Sequence, residues 1–390
     1  MNKIIAVNQK DLVDPRLDTV LSGMDPLDRR MLSYFCKMSR DNCASQVGLL
    51  SRTGKNIFPF NQDVLALTDT VMPVYDPGFN QTWEQVTDQR AHDLEQRILK
   101  ENKKLVVLWS GGIDSTCIMA AILKNFQPAN RSLVTVACTV HSVIENPVFY
   151  SRHIVPYFDV IDYNQFINNS LATVTDTLVV DGFAGDLLHM SMTPSLDVCM
   201  AVRQGEMLAH DWRTQPDPLI KYLAQVTDSM EFANWYYDRN KASIESVDVP
   251  VETYFDFMWW IGFNCEWYSW GFHAWFFCYR HLNIPYQECK SKSVGWFRTD
   301  SYQQWAMKNN GANVKHGLDL GSLKLWPKKY IYDVDHNDNY RRYKTKINST
   351  GRDYNDIQNL PFAVTDDFKL LYLDHDLEQI IKLLPTHITS

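Results

Sequence analysis

The stretch Leu105-Val106-Val107-Leu108-Trp109-Ser110-Gly111-Gly112-Ile113-Asp114-Ser115-Thr116 decides how this chain folds. Its first five residues are apolar without alternation, so neither face of the segment suits water. Such a run predicts a central strand of a parallel sheet. The text from Thr116 to Phe126 reads as a helix that ends before Pro128. Between strand and helix stands a turn in which Gly111 and Gly112 would let the backbone approach an anion with no Cβ in the way. Ser110 and Ser115 add hydroxyl donors, and the N–H groups of the turn converge with the positive end of the helix on one point. Ile113 completes the turn, and Asp114 supplies a carboxylate suited to Mg²⁺ bridging a bound phosphate. The competing reading is an ordinary strand-to-helix turn in which Asp114 serves as a cap.

Working outward, Thr82 opens a helical stretch with Ala91, Leu94 and Ile98 at three- and four-residue spacing. After the central strand, Leu133 to Val140 reads as a second strand, Phe158 to Ile161 as a third, Gln165 to Ala172 as a helix and Thr177 to Val180 as a fourth strand. Strands alternating with helices predict an α/β fold, a parallel twisted sheet with flanking helices. Beyond residue 190 the pattern turns mainly helical up to His281, which predicts a second, helical lobe. The tail from Asn283 is turn-rich and aromatic and closes with a helix around Leu371 to Leu384. The expected organisation is an N-terminal region 1–95, a nucleotide-binding core 96–200, a helical aromatic-rich lobe 201–335 and a C-terminal segment 336–390.

Composition removes several classes of function. Thirty-eight basic against forty-six acidic side chains give a net charge of −8 over 390 residues, no surplus for displacing counterions from a nucleic-acid backbone. The eight cysteines form no CxxC pair, which argues against zinc and iron–sulfur ligation and for reduced thiols in a cytoplasmic protein. Met1 to Val20 lacks the apolar core of an export signal. The most apolar stretch, Phe255 to Tyr279, is broken by Asp256, Asn264, Glu266 and His273 and predicts a buried aromatic core, not a membrane span. Some of it could line an acceptor pocket, with Glu266 or His273 carrying protons. Gly48 to Lys55 misses the Walker loop by one residue in spacing and has Asn56 where Ser or Thr is needed. Asp333, Asp335, Asn337 and Asn339 start like a calcium loop, but Asp338 stands where the turn glycine belongs and Lys344 where the bidentate Glu belongs. A polar turn is the better reading, and Arg341 to Lys346 reads as a solvated basic run.

Ser110 to Ser115 in this setting resembles the SGGxDS pyrophosphate loop of the N-type ATP pyrophosphatases, the PP-loop superfamily. Gly182-Phe183-Ala184-Gly185-Asp186-Leu187 looks like the G-x-G-x-D-E segment of its asparagine synthetase and β-lactam synthetase branch, and Lys329-Tyr330-Ile331-Tyr332 is similar to that branch's K-x-I-L segment. The resemblance implies ATP and Mg²⁺ as cofactors, pyrophosphate gripped by Ser110 to Ser115 with Gly182, and adenosine along the second strand end at Thr139 to Ser142, with Thr139 and Val140 as binding residues. It also implies the metal on Asp114 and Asp186, with Asp186 and Lys329 as catalytic residues, Lys328 being the rival lysine. The reaction implied is activation of a small-molecule carboxylate as an acyl-adenylate, which an amine or ammonia then captures.

Two departures bear on the second half of that reaction. Phe183 replaces the Glu or Tyr that assists the nitrogen nucleophile, and Leu187 replaces the Glu following the metal Asp in asparagine synthetases. The start Met1-Asn2 offers no cysteine nucleophile for a glutaminase, so nitrogen would come from ammonia, from an amine or from a separate glutaminase partner. The rival expectations are a PP-loop enzyme that modifies tRNA and an ATP-binding regulatory protein that has lost turnover.

Overall fold

The computed structural model describes residues 25–31, 52–53, 72–163, 166, 176–189, 210–267, 291–311 and 324–344. The chain gathers into two compact units, each assembled from separated segments. Asn80–Gly185, His273–Tyr302 and Lys315–Ser390 make a sheet unit, and Met1–Phe79, Asp186–Phe272 and Gln303–Val314 make a second unit that is helical among its described residues.

The sheet unit opens with helix α1 (Trp83–Glu101), whose start is fixed by a reciprocal cap: Gln85 N–H donates to Thr82 Oγ1 and Thr82 N–H to Gln85 Oε1. Strand β1 (Lys104–Leu108) follows, then α2 (Ile113–Asn125), β2 (Val134–Cys138), α3 (Val140–Glu145), β3 (Asp159–Asp162) and β4 (Thr177–Asp181). All four strands expected from the apolar runs are present, with ends within two residues of expectation. Leu105, Val106 and Val107 are buried, as a strand covered on both faces requires. The helix expected at 165–172 lies outside the described residues except for Phe166, as does the closing helix at 371–384.

A fifth strand, β5 (Ser293–Gly295), was not legible in the sequence. It pairs parallel to β4 through Val179–Ser293, Val180–Val294 and Asp181–Gly295. The sheet runs β3-β2-β1-β4-β5 with every neighbouring pair parallel. Its order therefore reverses at β1: the chain leaves β1 toward β2 on one side and later returns to β4 on the other. In a parallel open sheet such a reversal parts the connections and leaves a crevice beyond the carboxyl ends of the two central strands. Ser110–Ser115 follows β1 and Gly182–Gly185 follows β4, so both glycine turns border that crevice.

Helix α2 is buried almost all round, from Ile113 through Ile122 except Asp114, because the sheet lies on one side and two helices on the other. Those helices are α1 and, from the far end of the chain, Leu325–Asp335. The latter ends at His336, which takes the left-handed conformation, and Asn337 caps the next helix, Asp338–Tyr343, through Oδ1 and the N–H of Tyr340. The calcium-like spacing is thus spent on a helix end and a helix cap. In the helical unit, Trp259 stacks on Phe263 with ring centroids 4.8 Å apart, and Trp267 meets Phe263 edge-on at 5.5 Å. The Arg52 guanidinium lies 4.3 Å over the Trp267 ring. This part of the aromatic stretch is core; the Glu266 side chain and His273 lie outside the described residues. Among the described residues, no helix is long and apolar enough to cross a membrane, and Cys117, Cys138 and Cys265 are buried free thiols.

Burial pushes the Asp335 carboxyl up to about 6, partly offset by the Asn337 N–H and the charges of Arg152 and His336. A raised acid binds its proton more tightly when folded, so stability falls as pH rises from the ordinary value of 3.8 through 6. Asp335→Asn keeps an acceptor for the Asn337 N–H and removes the charge. It should add about 3 kcal/mol at pH 8 and almost nothing at about pH 4, read from urea unfolding midpoints.

Candidate phosphate-binding site

The turn after β1 begins with Trp109, whose N–H continues the ladder to the Ala137 carbonyl at 2.9 Å. Its indole donates to Thr116 Oγ1 at 3.2 Å and its ring stacks on Tyr150. Gly111 sits in the left-handed region at φ +73°, and a Cβ there would lie 2.2 Å from the Ser142 carbonyl oxygen. Only glycine can bring the turn this close to α3. Helix α2 starts at Ile113, three residues earlier than its apolar pattern suggests, with Gly112 as N-cap. Asp114 and Ser115 therefore stand in its first turn, where a carboxylate is favoured by the helix dipole. The two serines knit the turn together: Ser115 Oγ lies 3.1 Å from Ser110 Oγ and accepts from the Ser110 N–H, while Ser110 Oγ accepts from Gly112 N–H at 3.3 Å.

The turn after β4 closes on the same carboxylate. A Cβ at Gly182 would meet Asp114 Cβ at 3.3 Å, and one at Gly185 would fall 2.5 Å from Asp114 Oδ1. The turn is held from below by Asp181, whose Oδ1 accepts from Phe183 N–H at 3.2 Å and whose Oδ2 accepts from Arg298 Nη2 at 2.8 Å and Ser293 Oγ at 3.3 Å. Asp186 is the next residue after Gly185 and is the acidic residue in the first turn of the short helix Gly185–His189. Leu187 is buried, with Gly262 beside it in the helical unit, a position that suits an apolar side chain rather than Glu.

The lysines fall otherwise than the sequence suggested. Lys329 is exposed, its ammonium over the Trp326 ring, and Lys328 is buried. The lysine on Asp114 is Lys324, which donates to Oδ2 from a side chain only 4% exposed. Lys324 is the N-cap of Leu325–Asp335 and holds left-handed dihedrals, φ 54° and ψ 54°, at a cost of about 1 kcal/mol for a residue with a Cβ. A cation at the positive end of a helix is also on the wrong end of the dipole, so the nearby carboxylate is what keeps it there. The signal in the sequence was Lys324 itself, directly before a helical run where an acid or hydroxyl is usual.

Lys344 departs from the solvated reading of Arg341–Lys346. It is fully buried and donates to Glu145 Oε1 at 2.5 Å, while Arg341 and Arg342 pair with the half-buried Asp338. Glu145 flanks the glycine turn, its Oε1 lying 3.7 Å from where a Gly112 Cβ would stand. Tyr340 donates to the Gly111 carbonyl at 3.4 Å, and burial holds its phenol well above the usual range, so it stays protonated. Thr139 and Val140, expected beside adenosine, start α3: Thr139 Oγ1 accepts from Ser142 N–H, and both residues are half-buried at the end of β2.

Among the described residues no group of three or more His, Cys, Asp or Glu could hold a metal by itself. One carboxylate at a glycine turn is nonetheless the hard oxygen donor that Mg²⁺ uses when a substrate's phosphates complete its coordination. No family model, curated protein or solved structure matches the chain.

Gly111→Ala should lower the unfolding free energy by at least about 2 kcal/mol, because the added Cβ meets backbone and not a movable side chain. Gly112→Ala, at φ −72° with the Ser110 hydroxyl 3.1 Å away as nearest atom, should cost under about 1 kcal/mol. Paired urea titrations of the two variants measure the difference.

Proposed function

We propose that this protein is an ATP-dependent adenylating synthetase, activating a carboxylate with release of pyrophosphate before an amine or ammonia captures the acyl group. The observation that carries this reading is the glycine turn at the sheet reversal, flanked by two carboxylates, Asp114 and Glu145, each paired with a buried ammonium group. Attack of a carboxylate oxygen on the α-phosphorus breaks its bond to the bridging oxygen and moves negative charge onto the departing pyrophosphate. Lys324 and Lys344 are the cations placed to receive that charge, and the Gly111 and Gly112 backbone with Ser110 and Ser115 orients the phosphates. Asp114 would hold Mg²⁺, with Asp186 added by the resemblance, and the metal would neutralise phosphate oxygens. Lys329, exposed and resting on Trp326, is assigned no charge-neutralising role in this reading.

Phe183 favours a second reading for the later step, because its ring can neither give nor take a proton. An ATP-binding protein that turns over slowly or not at all would carry the same glycine turn. Incubating the protein with ATP, Mg²⁺ and pooled metabolites, and following pyrophosphate and AMP by mass, separates the two.

Asp114→Asn retains an oxygen acceptor for Lys324 while losing the charge that a metal needs. It should reduce magnesium-dependent pyrophosphate release by at least about 100-fold, with the circular-dichroism spectrum unchanged. Undiminished release would remove this turn from the reaction.

A further inference from the structure

Lys324 and Asp114 neutralise each other in a place where neither charge is well hydrated. The lysine side chain is 4% exposed and the aspartate side chain 19%. Lys324 occupies the N-cap of the eleven-residue helix Leu325–Asp335, so its ammonium stands at the positive end of that helix. The Gly185 backbone closes on the other oxygen of the same carboxylate. Resting on the nucleotide reading above, we infer that Lys324 makes this turn select a metal and a polyphosphate together and resist either one alone.

The argument is one of charge exchange. A divalent cation arriving alone competes with Lys324 for Asp114, and its success leaves a buried ammonium facing a helix dipole of the same sign. A polyphosphate arriving alone meets a carboxylate that repels it at the metal position. Arriving together, the cation takes Asp114 and a phosphate oxygen takes Lys324, so each buried charge changes partner and none is left alone. Lys324 is in this sense a specificity-determining residue: it ties occupation of the metal position to the presence of phosphates. A neutral side chain at 324 would leave Asp114 open to free metal.

The test uses the full chain with Mn²⁺ as the metal probe, its binding followed by electron paramagnetic resonance with and without ATP. In the unaltered protein ATP should tighten Mn²⁺ binding at least tenfold beyond the affinity of Mn²⁺ for ATP itself, and Mn²⁺ should tighten ATP binding by the same factor. Lys324→Gln should bind Mn²⁺ alone at least tenfold more tightly and lose most of the coupling, whereas Lys324→Arg should retain it. Mn²⁺ bound no more tightly by the ATP-loaded unaltered protein than by ATP itself overturns the inference even if Lys324→Gln does not fold. Unchanged metal affinity in a folded Lys324→Gln protein overturns it as well. If ATP with Mn²⁺ does not bind at all, the nucleotide reading falls and this inference falls with it, whereas binding without coupling refutes the inference alone.

Discussion

The carboxylate of Asp114 is the point on which the sheet unit converges. It is fixed in the first turn of α2, approached on one oxygen by the Gly185 backbone and on the other by the Lys324 ammonium. A partly buried carboxylate is tolerated only when charge and hydrogen bonds compensate its lost hydration. That requirement reaches far along the chain. It forbids a Cβ at Gly185, and it sets a lysine at a helix N-cap in left-handed dihedrals. It also brings Leu325–Asp335 against α2 although more than two hundred residues separate Asp114 from Lys324. The carboxyl ends of β1 and β4 are therefore bordered by groups whose charges already answer one another.

Much of this was legible in sequence because the signals were local. A short apolar run without alternation, bounded by turn residues, suits a doubly covered strand, and β1 and β4 carry such runs. The glycines of Ser110–Ser115 and Gly182–Gly185 announce close backbone approach, which the structure realises against Ser142 and Asp114. What escaped was set by tertiary context. β5 is three residues long and contains Ser293 and Gly295, so it has no period to detect; only the edge of β4 makes it a strand. Lys344 and Arg341 look alike in a basic run, yet one is fully buried on Glu145 and the other sits at the surface on Asp338. Nothing in the spacing distinguishes them, because burial there is decided by α3, contributed from the other end of the unit.

The same distinction between local and tertiary causes bears on Phe183. The turn after β4 owes its shape to Asp181, which bonds the Phe183 backbone with one oxygen and Arg298 and Ser293 with the other, and to the glycines on Asp114. None of those constraints calls on the side chain at 183. In the function proposed above, the phenyl ring at 183 neither gives nor takes a proton. The adenylation we propose would draw on the first turn and its lysines and would not call on that side chain. The capture by nitrogen we propose would then need a proton acceptor from another segment, or a nucleophile that arrives without a proton to lose.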